Sequence, residues 1–355
     1  LRRALESLTI GRLTLPAACL GSLKQCLWLA RSRAQQRVQY DRPIGEHTDV
    51  GAKIVRMASR VLALEALVTI TGIWADRKVD VRLESAAAKV LATEWLLDSV
   101  LDLFRIYGGR GFETSESLRL HGDLPAPIER LVRDALINVI WEGTNGILTL
   151  WIGREGLAEY VSQGKAFLEL QISEMVRAVP FFAKVAGRAL NRFPRFTAWP
   201  ASATPESTWE RFVTNKSREL ALKSLWAAAH HRQGLARKQL LTTQLVKAGM
   251  QLFAVEALVW YASQHAIRNH QLTDSLLEHF CSQVKEAFHP TPLLALRQPP
   301  WQNDSQVFHL AKDILAGKAE WLEDGIIAWH PTEHRQNDPF VSAMGEQLAG
   351  MPGKL

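Results

Sequence analysis

Apolar residues recur at helical spacing along most of the chain. Between Thr48 and Asp76, the positions Val50, Ile54, Met57, Val61, Leu64, Leu67 and Val68 follow a 3.6-residue period. That pattern predicts one amphipathic helix with Thr48 or Asp49 as its N-cap. A second helix is predicted from about Arg82 to Tyr107 and closed by Gly108-Gly109, because glycine takes the backbone conformation that ends a helix. Ahead of them, Leu13 to Gln39 reads as a long helix, with Pro16 tolerable only near its start. After them come a turn at Pro125 and Pro127, a short helix from about Ile128 to Ile140, the turn Trp141-Glu142-Gly143-Thr144-Asn145-Gly146, and a helix from Ile147. Residues 191–207 have the Pro, Ser, Thr and Ala content of a linker, and helices resume from Thr208 to about Phe288. No alternating segment bounded by turns reads as a strand. The expected fold class is all-α, divided as a helical domain over 1–160, a basic segment and linker over 161–207, a second bundle over 208–330 and a tail over 331–355.

The pattern contains an echo. Ile54 to Val68 lies over Leu245 to Val259 at an offset of 191, with identities that include Ala63/Ala254, Glu65/Glu256, Ala66/Ala257 and Leu67/Leu258. Two amphipathic helices converging on Leu, Ala and Val would produce it, and so would a second bundle that is a degenerate copy of the first. At that offset Gly108-Gly109 falls on Pro299-Pro300 and Trp141-Glu142-Gly143 on Thr332-Glu333-His334. A copy would therefore be structural, not catalytic.

Composition narrows the classes. With 47% hydrophobic and 22% charged residues among 355, the chain can build a core of globular size. No apolar run approaches the ~18 residues that a bilayer span needs; the nearest, Ala63 to Ala75, carries Glu65. Three cysteines, Cys19, Cys26 and Cys281, make no disulfide framework and no CxxC pair, so a reducing compartment, the cytoplasm, is expected and a zinc site is not. The opening residue is Leu1 and the first stretch reads as mid-domain sequence, so the chain is expected to be part of a longer protein.

The net charge of +6 is unevenly spread: thirteen basic residues meet only three acidic ones between Arg177 and Lys247. Such a block suits an anionic surface or a solvated helix face. No nucleic-acid module accompanies it, so nucleic acid is not an expected partner. Within it, Phe181, Phe182, Val185, Leu190 and Phe193 interleave with Lys184, Arg188, Arg192 and Arg195. Peripheral membrane contact through 177–196 is one reading of that pattern, at the inner membrane surface; a helix packed on its own domain is the other.

The string that carries chemistry is Arg133 to Ile147, RDALINVIWEGTNGI. A carboxylate at Glu142, set between a bulky aromatic and a glycine after an apolar helix end, suits a general base for a proton beside a carbonyl. Gly143 allows a planar substrate close to the backbone, and Thr144 and Asn145 add short hydrogen-bonding groups. The plain alternative is a turn with a solvated Glu. Nine of the eleven histidines fall between His230 and His334 without a metal-binding spacing, so no metal site is expected.

Four motifs then stand in order: Arg37 to His47 (RVQYDRPIGEH), Gly108 to Ser117 (GGRGFETSES), Glu129 to Asp134 (ERLVRD) and Trp141 to Asn145 (WEGTN). Together they resemble acyl-CoA dehydrogenases, most of all the large bacterial and very-long-chain branch with an extra C-terminal helical domain. The likeness is strong over about 1–160, as that family's C-terminal four-helix bundle, and loose over 161–330. It implies FAD as cofactor, an acyl-CoA substrate, an electron-transferring flavoprotein as electron acceptor, and a homodimer. It implies Glu142 as the base that removes the α-proton while the β-hydride passes to the flavin. Arg37, Arg105, Gly108, Gly109, Thr144 and Asn145 match cofactor-binding positions, Arg37 toward the flavin pyrophosphate of a neighbouring subunit. Arg12, Trp141 and Gly143 match positions near substrate. Some family members carry the base on the earlier helix, where Gly11 offers no carboxylate. There are two departures: Arg105 stands where the family usually has Gln, and Asp41 where it usually has Gly. The family's N-terminal helical and middle β-domains have no counterpart here. A noncatalytic helical scaffold derived from the family, or one half of a split enzyme, are the alternatives that the sequence leaves open.

Overall fold

The computed structural model describes residues 2–156, 208–231, 234–235, 238–264, 270–288 and 304–325. The basic segment 177–196, the 191–207 linker, Pro299-Pro300 and the tail from 331 onward lie outside them. The described chain is helical, with a single two-residue strand pair. In order it forms α1 (Arg2–Gln36), β1 (Val38–Gln39), β2 (Arg42–Pro43), α2 (Thr48–Asp76), α3 (Arg82–Tyr107), α4 (Ser115–Leu120), α5 (Ile128–Asn138) and α6 (145–156). Then come α7 (Thr208–His231), α8 (Gln239–Gln264), α9 (His270–Ala287) and α10 (Asp304–Leu315), with a 3-10 turn over Glu320–Glu323.

α1 and α3 lie side by side and run parallel. The Tyr107 hydroxyl donates to the Leu29 carbonyl at 3.5 Å and Arg33 covers the Tyr107 ring at 5.3 Å, which ties the two C-terminal ends together. α2 runs antiparallel to α3, so that Arg60 meets Asp98 at 3.1 Å and Arg56 meets Asp102. The middle of α2 is apolar on nearly every side (Ala63, Leu64, Ala66 and Leu67 are all buried), which is how a helix reads when it has packing partners all round. Those partners include α8, α9 and α10 from the second half. Trp74 stacks on Phe253 at 6.2 Å and Trp95 meets Phe280 edge-on at 5.5 Å, so one apolar core runs through both halves.

The echoed stretches fall on α2 and α8, which pack against each other. Burial coincides at Ile54/Leu245, Val55/Val246, Leu62/Phe253 and Leu67/Leu258. Where the halves meet, glycines make room. A Cβ on Gly51 would stand 2.9 Å from the Ala311 Cβ, one on Gly45 2.5 Å from the Leu315 Cδ1, and one on Gly153 2.3 Å from the Thr242 Cγ2. The Arg31 guanidinium adds a buried fork to Glu323 at 2.9 and 2.8 Å and reaches Glu320 at 3.1 Å.

Several sequence expectations need correction. α1 starts at Arg2 rather than Leu13, so Pro16 lies inside it. Proline offers no N–H to the carbonyl four residues back, yet its ring is buried and the Thr14 hydroxyl donates to the Ile10 and Gly11 carbonyls at 3.2 Å. The helix α2 has the expected limits, but His47 holds the N-cap position without a side-chain bond. A two-residue hairpin follows α1, with Val38 opposite Pro43 and Gln39 opposite Arg42. Its turn residues Tyr40 and Asp41 have φ of 53° and 63°, as a type I′ turn demands. That conformation explains why glycine is favoured at position 41 and why Asp, which tolerates left-handed backbone, can replace it. α5 ends at Asn138, two residues short of the expected Ile140, and α6 opens at 145 instead of 147. Among the described residues Gln239–Gln264 is long and apolar enough to cross a bilayer, although polar residues interrupt its apolar run. More than half of that stretch is buried in the protein, as expected of a core helix.

Candidate functional site

The 141–146 turn joins α5 to α6 and sits against the N-terminal halves of α1 and α3. Two consecutive residues in it are left-handed: Glu142 with φ 58° and Gly143 with φ 101°. Such a backbone costs a residue with a Cβ about 1–2 kcal/mol, so the turn needs outside support. It has it at both carbonyls. Arg12 Nε donates to the Glu142 carbonyl at 3.3 Å, and Lys89 Nζ donates to the Gly143 carbonyl at 2.9 Å. The Asn145 amide N–H donates to the Val139 carbonyl at 2.9 Å, and Thr144 caps α6 by accepting from the Leu148 N–H at 2.9 Å.

The Glu142 side chain, half-buried, turns back onto α1. A Cβ on Gly11 would stand 2.5 Å from its Cδ and Oε1 and 2.7 Å from its Oε2. The carboxylate therefore occupies the notch that the glycine leaves in the helix. Arg12 also lies over the Trp151 ring at 5.3 Å, and burial lowers its pKa while the Glu142 charge raises it. Around the notch Ile10, Trp141 and Ile147 are exposed by 63%, 61% and 65%. A carboxylate at the edge of an exposed apolar rim can take a proton from a carbon acid laid against that rim.

Below the turn the Asn145 side chain is buried and committed inward. Its Oδ1 accepts from Lys89 Nζ at 2.8 Å, and its Nδ2 donates to Thr93 Oγ1 at 2.9 Å and to Glu94 Oε1 at 2.7 Å. Gly143 and Thr144 are left as the exposed backbone and hydroxyl of the turn. Lys89 itself has no exposed surface. Burial pushes its pKa down to about 8 from 10.5, with Cys19, Glu94 and Glu142 pulling it up and Arg12 adding to the fall. Cys19 is pushed the other way by burial, to about 12, with the Lys89 charge opposing.

The remaining predicted positions gather elsewhere. Arg37 follows α1, and Gly108 and Gly109 end α3, all exposed at the far end of the parallel pair. Twenty-four residues of helix separate Arg12 from Gln36, about 36 Å at a 1.5 Å rise. Gly108 has φ 62°, and nothing lies within 4 Å of where a Cβ would stand on it or on Gly109. Arg105 pairs with Asp102 at 3.0 Å, a carboxylate that Arg56 also bonds. The structure thus brings together Glu142, Gly143, Asn145 and Arg12, and holds Arg37, Arg105, Gly108 and Gly109 apart from them. Lys89 went unseen in the sequence. Ser85 and Thr93 stand one turn to either side of it, so its spacing reads as an ordinary polar helix face.

Residues 1–157 match the acyl-CoA dehydrogenase C-terminal domain. This part of the chain belongs to the acyl-CoA dehydrogenase family. A probable acyl-CoA dehydrogenase, FadE10, of Mycobacterium tuberculosis is 34% identical over 339 residues, covering 92% of this chain and 51% of that protein. The human mitochondrial very long-chain specific acyl-CoA dehydrogenase is 24% identical over 319 residues, covering 85% of this chain and 45% of that protein. The chain thus spans about half the length of the curated relatives it matches. Among solved structures, an acyl-CoA dehydrogenase complexed with FAD from Bacillus anthracis superposes with a TM-score of 0.62 at 21% identity. That match covers 88% of this chain and 56% of the other, and it establishes the shared helical fold beyond residue 157.

Proposed function

We propose that this chain supplies the C-terminal half of an FAD-dependent acyl-CoA dehydrogenase that introduces an α,β double bond into fatty acyl-CoA thioesters in β-oxidation. The observation that carries the reading is the seating of the Glu142 carboxylate in the Gly11 notch. There it stands at the open apolar rim, on a turn held by Arg12 and Lys89. From that seat Glu142 takes the α-proton of a thioester whose acyl chain lies along Ile10, Trp141 and Ile147. Arg12 fixes the carbonyl of the base, and Gly143 leaves the approach to the backbone free of a side chain.

The residues present suit FAD, which when bound supplies the acceptor for the β-hydride. Arg37, Gly108 and Gly109 would hold its pyrophosphate, with Arg105 nearby; the two glycines offer exposed backbone with open space above it. Thr144 would stand beside the flavin on the other site, with Asn145 supporting it from below. Two groups of residues at opposite ends of one helix favour a homodimer, in which the Arg37 end of one chain completes the Glu142 site of its partner. An electron-transferring flavoprotein would then accept the electrons. Three buried, unpaired thiols suit the cytoplasm, and the 177–196 segment is our candidate for peripheral contact with the inner membrane surface.

The test is Glu142→Gln in the FAD-loaded protein. A positioned base contributes about 10²–10⁴-fold, so acyl-CoA should bleach the flavin slower by that factor while FAD content stays unchanged. Undiminished bleaching in the variant removes Glu142 from its role. The half-length chain by itself is expected to be inactive; if the full-length protein, with the domains that this chain lacks, retains no flavin under any reconstitution, the chain is the helical scaffold.

A further inference from the structure

We infer that Lys89 is a positioning residue for the base, holding the Glu142–Asn145 turn from inside the protein so that the carboxylate stays in the Gly11 notch. The inference rests on the reading of Glu142 as the base for its catalytic meaning, but the geometry behind it is independent of any cofactor. The turn places two consecutive residues in left-handed backbone, a conformation that persists only where its surroundings over-determine it. Lys89 supplies two of the constraints from one atom: its ammonium bonds the Gly143 carbonyl at 2.9 Å and Asn145 Oδ1 at 2.8 Å. The first fixes the peptide between Gly143 and Thr144, while Arg12 holds the one before it. The second fixes the first residue of α6, whose amide N–H is already tied to Val139.

A lysine without exposed surface is costly, and a helix of small residues could have been completed without one. The groups facing Lys89 are Arg12 and Cys19 from α1, Glu94 from its own helix and Glu142 from the turn. Burial weakens its hold on the proton, yet the two carboxylates among these groups, Glu94 and Glu142, favour the charged form. A charged donor makes hydrogen bonds roughly twice as strong as a neutral one, and here both go to the turn.

Lys89→Met tests this by removing the donor and keeping an apolar body of similar length. Hydrogen exchange of the chain should show protection of the Asn145 and Leu148 amides, which bond to Val139 and Thr144, lost at least tenfold, with the amides of central α2 unchanged. In the FAD-loaded variant kcat should fall at least tenfold with KM changed less than threefold. Unchanged protection at Asn145 and Leu148, or a loss spread evenly over the core, overturns the proposal. If Lys89→Met does not fold, Lys89→Gln, which keeps a neutral donor, carries the same comparison. Failure of both to fold also counts against it, because the lysine would then serve the fold as a whole. A wild-type protein whose flavin does not respond to acyl-CoA would sink the dehydrogenase reading and leave the exchange result standing on its own.

Discussion

At the 141–146 turn, and at the seam where α10 lies on α2, a glycine in a helix makes room for a side chain from a distant part of the chain. The occupants differ. Gly11 admits the far end of a flexible carboxylate, whereas Gly51 admits the Cβ of Ala311, which is rigidly attached to its own helix. Around Gly11 the neighbours are charged and polar and the backbone is strained; around Gly51 they are apolar and the backbone is regular. The same substitution at the two glycines should therefore separate chemistry from stability.

The largest effect is expected at the buried ion pair between the halves. Arg31→Met leaves Glu323, which is 6% exposed, without its fork. Breaking a buried pair from one side costs about 3–5 kcal/mol, and chemical denaturation should register it. Retention of full stability would mean that the apolar seam alone joins the halves. Next is Gly11→Ala. The new methyl group displaces the Glu142 carboxylate, and a misplacement near 1 Å costs about 10²-fold in rate. Replacing a helical glycine meanwhile stabilises by up to ~1 kcal/mol. The variant should melt no lower than the parent and turn over far more slowly; equal rates would show that the notch does not aim the base. Smallest is Gly51→Ala, an overpacking of about 1–3 kcal/mol, visible as a lowered melting temperature with flavin bleaching unaltered. A change in bleaching there would mean that the two regions are coupled.

Much of the scaffold was legible in the sequence because it is written in local signals. The start and end of α2 and α3 follow from apolar period and terminal glycines, and Gly108 takes the left-handed conformation expected of it. What stayed hidden depends on distant partners. Pro16 reads as a helix breaker until the α1 interface that buries it is known. Gly11 reads as a missing carboxylate until Glu142, 131 residues later, is found resting on it. Lys89 reads as a surface lysine because helical period does not say which face of α3 is covered; α3 is exposed along Glu94, Asp98 and Arg105, and Lys89 lies off that stripe. Asn145, matched by resemblance to a cofactor contact, turns its amide inward to α3, a direction that residue type does not encode.

The Arg31 fork joins residues 292 apart in sequence, which sets an order of events during synthesis. At a ribosomal pace of about 5–20 residues per second, α1 waits roughly 15–60 s for its last partner to emerge. Throughout that interval the notched face of α2 is bare and the arginine is hydrated. The nascent chain thus passes through a stage in which α1 to α3 have emerged but are not yet covered, and it is then that a holding chaperone would have most to bind.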